Sequence, residues 1–358
     1  MPQTALIPAS RPSRVLIVDD SAVARAVLGA SISRSSTLQV TGSVPSAAAA
    51  LAFLASHEVE LIVLDIEMPG TDGLTALPDL LEAGLGARVL IVSSAAGDGA
   101  AATIQALALG AADTLVKPLP GERGRQFETD LLDKLDRLRE LGIGPSASPA
   151  AIRPAAPILL SGANDAFDIV AIGASTGGIH ALSQLLRMLP EDMRVPILVT
   201  QHLPASFMPY FAAQLAALGR RPCDVATDRM RIWPGRIVVA AGDAHIRCVS
   251  LGAGNTAIRL SSEPATSGCL PSVDPMFDSV AECFGSRALA VVLSGMGRDG
   301  AEGAGRIAAA GGCVLVQDEV SSAVWGMPGA VVAAGLAAAI LDPQAIGRLI
   351  ASRRRPAC

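Results

Sequence analysis

One short stretch of the sequence places a serine in a setting that suits nucleophilic attack. The stretch IGASTGG (172–178) gives Ser175 a G-x-S-x-G pattern, the spacing of a nucleophile elbow between a strand and a helix. We expect Gly173 to let the strand turn sharply, and Gly177 and Gly178 to leave the helix start open. The same glycines are also typical of a loop that cradles a phosphate. The stretch therefore predicts either an attacking serine or a nucleotide site.

The positions of the four histidines identify a candidate base for that serine. A serine hydroxyl is a weak nucleophile near neutral pH, so it needs a base within hydrogen-bond reach. His57 is expected on a helix of the first half, His180 at the start of the helix after Ser175, and His245 beside a hairpin. Only His202, in VTQHLP, directly follows an apolar run that predicts a core strand. His202 is therefore the candidate base.

A carboxylate in the second half is placed to orient that base. Asp299 lies in the glycine-rich turn LSGMGRDG (293–300), after the predicted strand ALAVVL. Taken singly, Ser175, His202 and Asp299 are also typical of helix capping, packing and turn formation. Because the carboxyl ends of parallel strands meet at one edge, we predict that they converge as nucleophile, base and orienting group. Their order along the chain differs from that of α/β-hydrolases, so the elbow does not predict that fold.

The nucleotide alternative makes a demand that the sequence does not meet. A dinucleotide site needs an acidic residue at the end of the next strand, about 20 residues beyond the glycines. Thr200, Gln201 and His202 stand there instead. For the serine alternative, the backbone N–H groups of Thr176, at the helix start, and of Met296, in the GMG turn, are candidate donors to an oxyanion.

A second set of chemistry-bearing residues lies in the first half, again just past apolar runs. Asp19 and Asp20 follow one predicted strand, Asp65 the next, and Ser93 and Lys117 the two after that. Three carboxylates at one sheet edge are costly unless a cation neutralises them, and a hard ion such as Mg²⁺ prefers oxygen ligands. The set predicts a site that holds an aspartyl phosphate.

The elements that must position both sets alternate between strands and helices, which predicts parallel sheets with helices on both faces. Apolar runs predict strands at VLIV (15–18), LIVL (61–64), VLIV (89–92), TLV (114–116), FDIVAIG (167–173), PILVT (196–200), RIVVAAG (236–242), ALAVVLSG (288–295) and GCVLVQ (312–317). A charged helix is expected over 127–141 and an inserted hairpin over 245–260. The interpretation is a first α/β domain at 12–141, a Pro/Ala/Ser-rich linker at 142–165 and a second, doubly wound α/β domain at 166–352.

The composition excludes several classes of protein. With 358 residues, two domains are expected, and 51% hydrophobic residues argue against extended disorder. A net charge of −5, with no basic face apart from Arg353, Arg354 and Arg355, makes nucleic acid an unfavoured partner. The N-terminus has no signal-peptide core and no run predicts a membrane span, so the cytoplasm is the expected location. Six cysteines without a C-x-x-C pair predict reduced, buried thiols rather than a disulfide framework or a zinc site.

The motifs of the first half resemble those of the receiver domain of bacterial response regulators. The stretches are VLIVDDSAVAR, VLDIEMPGTDGL, VSSA and GAADTLVKP. The resemblance implies a flavodoxin-like domain with a five-stranded parallel sheet, in which Asp65 accepts phosphate from a histidine kinase. It also implies Mg²⁺ held by Asp19, Asp20, Asp65 and the Glu67 carbonyl, with Ser93 and Lys117 contacting the phosphate. Thr114 departs from the pattern, because many receivers carry a switching aromatic ring there.

The second half resembles the catalytic domain of the chemotaxis protein-glutamate methylesterases of response-regulator type. The similar stretches are IGASTGG, VTQHLPASF, PSVDPMFDSVA, SGMGRDG and QDEVSSAVWGMPGAV. The resemblance implies a serine nucleophile at Ser175, with His202 as base, Asp299 as its partner and Thr176 and Met296 near the oxyanion. The implied reaction is hydrolysis of glutamate γ-methyl esters on chemoreceptor helices, with glutamine deamidation as a further activity and no cofactor for ester hydrolysis.

The sequence also leads to expectations about regulation, partners and alternative functions. The tandem order and the linker suggest that the unphosphorylated receiver packs over the catalytic edge and that phosphate on Asp65 weakens this packing. The expected partners are methyl-accepting chemoreceptors and a chemotaxis-type histidine kinase, for a monomer without membrane insertion. The alternatives are a non-enzymatic response regulator whose second domain only binds receptors and a DNA-binding regulator, which the acidic α/β second half disfavours.

Overall fold

The computed structural model describes residues 11–93, 98–118, 124–139, 167–252 and 254–352. The predicted linker at 142–165, the last two residues of the helix predicted over 127–141, and the tail with its three arginines and Cys358 lie outside these ranges. Contacts between Cα atoms divide the chain into two compact units, residues 1–94 with 110–147 and residues 95–109 with 148–358. Within the described ranges, no helix is both long enough and apolar enough to cross a lipid bilayer.

The first half has the predicted alternation of strands and helices. Its strands are β1 (Ser13–Val18), β2 (Leu38–Val44), β3 (Leu61–Asp65), β4 (Arg88–Ser93) and β5 (Asp113–Val116). Its helices are α1 (Ala22–Ile32), α2 (Ala47–Leu54), α3 (Gly73–Ala83), α4 (Asp98–Leu109) and α5 (Gly124–Arg139). His57 lies beyond the end of α2 rather than on a helix, so that prediction was wrong.

These strands form a five-stranded parallel sheet in the order β2-β1-β3-β4-β5, which confirms the predicted receiver fold class. The apolar runs did not mark β2, because only Leu38 is buried in this edge strand and its other residues are half-buried or exposed. Strand β3 is buried along its whole length, as expected for a strand covered on both faces. The strand order reverses between β1 and β3, where the carboxyl ends open a crevice.

The second half is also α/β, and it contains every strand that the apolar runs predicted. Its strands are β6 (Ile169–Ala174), β7 (Ile197–Gln201), β8 (Cys223–Val225), β9 (Ile237–Val239), β10 (His245–Gly252), β11 (Asn255–Ser261), β12 (Ala288–Val292), β13 (Cys313–Gln317) and β14 (Ala339–Leu341). Its helices are α6 (Gly178–Leu186), α7 (Met208–Gly219), α8 (Val273–Phe284), α9 (Ala301–Ala309), α10 (Gly326–Ala333) and α11 (Pro343–Ser352). Two short 3₁₀ turns lie at Ala205–Phe207 and Gly285–Arg287.

Seven of these strands form one parallel sheet in the order β14-β13-β12-β6-β7-β9-β8. The chain runs outward from β6 in one direction through β7 and later in the other through β12, which is the doubly wound arrangement that the sequence predicts. The four central strands are buried at every position. Strands β10 and β11 pair antiparallel as the inserted hairpin. The carboxyl ends of β6, β7 and β12 therefore lie side by side.

Candidate active site

The candidate nucleophile follows the central strand of the large sheet. Strand β6 ends at Ala174, and Ser175 lies in the turn before α6. Gly177 has a φ of 75°, and a Cβ there would lie 2.4 Å from the Cβ of Ala323. Both the dihedral and the space require glycine there, and a Cβ at Gly178 would likewise lie 2.6 Å from the Cβ of Ala174. The expectation that these glycines leave the helix start open was therefore wrong, because they allow close packing around the serine turn instead.

The role expected of Gly173 was wrong, because this residue lies within β6 and not in the turn. A Cβ at Gly173 would come within 2.4 Å of Cγ1 of Val273, the first residue of α8. Glycine is therefore needed for the close approach of that helix rather than for a sharp bend of the strand. The contact brings the start of α8 to the carboxyl edge of the sheet.

The structure brings together the three residues that the sequence singled out at strand ends. The His202 Nδ1 lies 3.1 Å from the Ser175 Oγ, and the His202 Nε2 lies 2.7 Å from the Asp299 Oδ2. The side chain of Asp299 is 1% exposed and that of His202 is 18% exposed. The order of contacts is hydroxyl, imidazole and carboxylate, with both ring nitrogens engaged, which is the arrangement that activates a serine.

Two groups at the start of α8 hold the carboxylate of Asp299 in place. The Ser272 hydroxyl donates to Oδ1 at 2.6 Å, and the Val273 backbone N–H donates to Oδ2 at 2.8 Å. Burial alone would raise the pKa of Asp299, but the hydrogen bonds from His202 and Ser272 hold it well below its usual range. The carboxylate therefore stays ionised and fixed beside the imidazole.

Ser272 is a residue of the site that was not expected from the sequence. The stretch PSVD contained a signal, because a serine directly before an amphipathic segment is typical of a helix N-cap. In the structure Ser272 is the N-cap residue of α8, but its side chain accepts no capping hydrogen bond and donates to Asp299 instead. Its hydroxyl is committed to the candidate site.

His202 sits between the carboxylate and a thiol that the sequence also did not connect with the site. Burial opposes a charge on the ring, but hydrogen bonding to Asp299, and to Cys269 after it, raises the pKa of His202 to about 9. Nearby, Asp274 is half-buried next to Asp299, and desolvation raises its pKa to about 6. The ring of His202 therefore carries both protons near neutral pH.

Hydrogen bonds tie together the two backbone segments expected to surround an oxyanion. The Ser175 N–H donates to the Ser294 carbonyl at 3.0 Å, and the Ser294 hydroxyl donates to the Thr176 carbonyl at 2.8 Å. The Gln201 side-chain amide donates to the Ser175 carbonyl at 2.8 Å. Met296, 37% exposed, follows Gly295 in the adjoining turn. The backbone on either side of the Ser175 hydroxyl is therefore held in place.

In the first half, the acidic residues meet at the carboxyl edge of the five-stranded sheet. Asp19 and Asp65 are buried, Asp20 is exposed, and carboxylate oxygens of all three lie within 4.8 Å of one another. The Lys117 Nζ lies 2.6 Å from the Asp65 Oδ2. Ser93, at the end of β4, is fully buried. The predicted set is thus brought to one edge.

The aspartates at this edge differ in the hydrogen bonds that their carboxylate oxygens accept. Burial raises the pKa of Asp65, although the hydrogen bond from Lys117 opposes the shift. The backbone N–H of Glu67 donates to the Asp65 Oδ1 at 3.1 Å. The Asp19 Oδ2 is buried and has no hydrogen-bond partner within the described part of the chain. An oxygen of this kind, beside two further carboxylates, suits a hard divalent cation.

Thr114, where many receivers carry an aromatic ring, lies in β5 and is 7% exposed. Its hydroxyl is buried without a hydrogen-bond partner among the described residues. A buried, unpartnered hydroxyl costs free energy that an aromatic ring at this position would not cost. Since Thr114 has no ring, an aromatic rotamer change cannot occur at this position.

The described cysteines are free thiols, as predicted, but they are not all buried. Cys248 and Cys313 are buried, whereas Cys223, Cys269 and Cys283 are partly exposed. The prediction of buried thiols was therefore wrong for these three residues.

Comparison with known proteins finds family models that match both halves of the chain. The model of the family described as CheB methylesterase matches residues 170–350, and the response regulator receiver domain matches residues 15–126. A relative from Maricaulis maris, named protein-glutamate methylesterase/protein-glutamine glutaminase, is 39% identical over 390 residues, which cover 97% of each chain. A Caulobacter vibrioides relative of that name, numbered 2, is 40% identical over 349 residues, covering 96% of this chain and 99% of its own.

A solved structure is similar to the second half. The crystal structure of the Thermotoga maritima CheB methylesterase catalytic domain aligns with a TM-score of 0.51 and 32% sequence identity, covering 52% of this chain and 98% of that one. The fold and the matches define a response regulator with an α/β catalytic domain. The chain belongs to the CheB methylesterase family.

Proposed function

We propose that this chain is a phosphorylation-activated protein-glutamate methylesterase that hydrolyses glutamate γ-methyl esters on the cytoplasmic helices of chemoreceptors. The contacts from Ser175 through His202 to Asp299, at 3.1 and 2.7 Å, are the observation that carries the proposal. The names of these relatives support the proposal, since they include both a methylesterase and a glutaminase activity. Release of methanol from methylated receptors is the direct test.

In the first half of the reaction, the Ser175 Oγ attacks the γ-carbonyl carbon of the ester while the Nδ1 of neutral His202 accepts its proton. Asp299 holds the other ring nitrogen and stabilises the imidazolium that forms. We assign the backbone N–H groups of Thr176 and Met296 to the oxyanion, and one such donor is worth about 3–4 kcal/mol in a well-studied protease. His202 then returns the proton to the leaving methoxide, so methanol departs and an acyl-serine remains.

In the second half of the reaction, a water molecule takes the place of methanol. His202 accepts a proton from the water, the hydroxide adds to the acyl carbon, and the Ser175 oxygen leaves with the proton. The product is a glutamate side chain. A glutamine amide can follow the same path with ammonia as leaving group, so we include receptor glutamine deamidation in the proposal.

In the receiver domain, we propose that Asp65 accepts a phosphoryl group from a chemotaxis-type histidine kinase. Asp19, Asp20, Asp65 and the Glu67 carbonyl would hold Mg²⁺, which when bound neutralises negative charge on the phosphoryl oxygens. The buried Asp19 Oδ2 supports this ligand set, because among the described residues it accepts no hydrogen bond and has only a 3.9 Å ion pair with Lys117. Ser93 and Lys117 would contact the phosphoryl oxygens, Lys117 by giving up its present 2.6 Å contact with Asp65.

We propose a receiver domain at 12–141, a linker at 142–165 and a catalytic domain at 166–352, in a monomer that acts in the cytoplasm. The matched ranges of 15–126 and 170–350 support this division. Its partners are receptors and a kinase rather than nucleic acid. A non-enzymatic regulator that only binds receptors does not require a buried carboxylate aligned on a histidine and a serine.

A phosphodonor is expected to accelerate methanol release by the intact chain. If the receiver restrains the catalytic domain until Asp65 is phosphorylated, the gain lies at about 5- to 150-fold, the range of couplings of about 1–3 kcal/mol. Asp65→Asn is expected to keep the basal rate and lose the gain. A chain lacking residues 1–141 provides the unrestrained rate for comparison. A truncated chain no faster than the unphosphorylated intact chain would contradict the restraint.

The rate is expected to rise with pH through the titration of His202. The ring has a pKa of about 9, raised by Asp299 and Cys269 against the effect of burial, so below that pH the Nδ1 carries a proton and cannot accept one. In this range kcat/KM is expected to increase about tenfold per pH unit. Asp274 has a pKa of about 6, so it is already deprotonated at the pH values at which His202 titrates. A profile of kcat/KM that is already flat at neutral pH would contradict the assignment of His202 as the base. Cys269→Ser is expected to move the rise in kcat/KM to lower pH, because it removes a group that raises the pKa of His202.

A further inference from the structure

One thiol in the second half lies beside the histidine and the carboxylate of the candidate site. Cys269 lies between the hairpin and α8 in a segment without regular secondary structure, and its side chain is partly exposed. Ligand atoms of His202, Cys269 and Asp299 all lie within 4.8 Å of one another. Within the described ranges, the Cys269 Sγ has one further hydrogen bond, a weak one at 3.9 Å to the Ser267 carbonyl. The thiol is therefore available to a ligand.

The three donors match the preferences of one kind of metal ion. Imidazole nitrogen, thiolate sulfur and carboxylate oxygen are the ligands of tetrahedral Zn²⁺, at about 2.0–2.3 Å from the metal. Such distances place neighbouring donors about 3.5 Å apart, so the present spacing needs adjustments of about 1 Å. The His202 Nε2 and the Asp299 Oδ2 must separate by about 0.8 Å from their present 2.7 Å, and rotation of the Cys269 side chain can bring the Sγ closer to both. Asp299 is held on its other side by Ser272, which would orient it as a ligand.

We propose that His202, Cys269 and Asp299 form a binding site for Zn²⁺ or a similar transition-metal ion. A water molecule or a group of the substrate would be the fourth ligand. The ion would take the place of the proton between the His202 Nε2 and the Asp299 Oδ2, which are 2.7 Å apart. Binding releases the thiol proton of Cys269 and the Nε2 proton of His202 to solvent, so it is tighter at higher pH. No oxidation or reduction is involved.

Occupation of this site would stop ester hydrolysis, a consequence that rests on the proposed function. A neutral imidazole that binds metal through Nε2 carries its remaining proton on Nδ1, the nitrogen that lies 3.1 Å from the Ser175 Oγ. That nitrogen then donates to the serine and cannot accept its proton. The metal thus holds His202 in the tautomer that is unsuitable for catalysis.

The other cluster of potential ligands in the described residues differs in kind. Asp19, Asp20 and Asp65 offer only carboxylate oxygens, which suit Mg²⁺ rather than a thiophilic ion. Cobalt(II) separates the two sites, because bonding to a thiolate produces a sulfur-to-metal charge-transfer band in the near ultraviolet and carboxylates do not. Mg²⁺ in excess keeps the acidic cluster occupied during such a titration.

The test is a titration of the full-length chain with Co²⁺ in excess Mg²⁺, in a Cys358→Ser background. The proposal expects a charge-transfer band that saturates at one Co²⁺ per chain and is removed by Zn²⁺. Cys269→Ser is expected to abolish the band, whereas Cys283→Ser, the matched change at another partly exposed thiol, is expected to keep it. Absence of the band in the Cys358→Ser chain, or an equal band in the Cys269→Ser variant, would overturn the site.

Inhibition is measured separately by methanol release at increasing Zn²⁺. Loss of a direct ligand should weaken binding by more than the roughly 10- to 100-fold typical of an outer-shell change, so Cys269→Ser should raise the half-inhibitory Zn²⁺ concentration at least about tenfold. Equal Zn²⁺ sensitivity of the two chains would overturn the inhibitory role. A wild-type chain that shows the cobalt band but releases no methanol without metal would instead contradict the proposed function and leave the metal site supported.

Discussion

Replacing Ser175 with alanine is expected to lower kcat for methanol release by at least about 10⁴-fold, since loss of a catalytic serine costs about 10⁶-fold in a well-studied protease. The substitution removes the hydroxyl that lies 3.1 Å from the His202 Nδ1. The substrate site itself is unchanged, because the backbone of Ser175 is held by its bonds to Ser294 and Gln201. The variant should therefore bind methylated receptor as the wild type does.

A matched control is available on the following helix. Ser183 is a buried serine of α6 whose hydroxyl donates to the Ile179 carbonyl at 2.8 Å, so Ser183→Ala removes a hydroxyl of the same kind without touching the relay. Its kcat is expected to stay within about threefold of wild type, with a loss of about 1 kcal/mol in the free energy of unfolding. Retention of more than a tenth of the wild-type kcat by Ser175→Ala would exclude Ser175 as nucleophile. A wild-type chain that binds receptor but releases no methanol would favour the non-enzymatic alternative.

The parts of the fold that the sequence predicted are those whose residues are buried on both faces. The central strands of each sheet are continuous apolar runs, so their ends, and the polar residues after them, could be placed without coordinates. This is why Ser175, His202 and Asp299 could be brought to one edge from their positions alone. The three-residue strands β8 and β14 lie at the two edges of the large sheet and are too short to give a periodic pattern.

The residues of the site that the sequence did not indicate lie in a segment without a periodic hydrophobic pattern. Cys269 and Ser272 lie between the hairpin and α8, and nothing in the spacing of this stretch indicates that it returns to the sheet edge. The approach of Val273 to Gly173, which anchors the segment there, joins residues 100 positions apart. Contacts of this kind depend on the assembled fold, so sequence reasoning identified the three aligned residues but not the groups that orient and ionise them.

Replacing Asp299 with asparagine is expected to lower kcat about 10⁴-fold, as the equivalent change does in a serine protease. An asparagine amide can donate to the His202 Nε2, which leaves the ring proton on Nδ1, facing Ser175. That tautomer cannot accept the serine proton. The Ser272 hydroxyl and the Val273 N–H both donate to this carboxylate, so the amide also meets a donor where the carboxylate accepted one.

The neighbouring carboxylate separates this effect from a general loss of negative charge. The Asp274 Oδ1 accepts from the Gly303 N–H at 2.8 Å, and no contact between its side chain and His202 is recorded among the described residues. Asp274→Asn therefore changes a half-buried carboxylate beside Asp299 without removing a group that contacts His202, and its kcat is expected to stay within about tenfold of wild type. The decisive comparison is kcat at saturating receptor for both variants at equal folded fraction. If Asp299→Asn fell no further than Asp274→Asn, Asp299 would act only as a residue of the turn before α9, and His202 would need another partner to fix its tautomer.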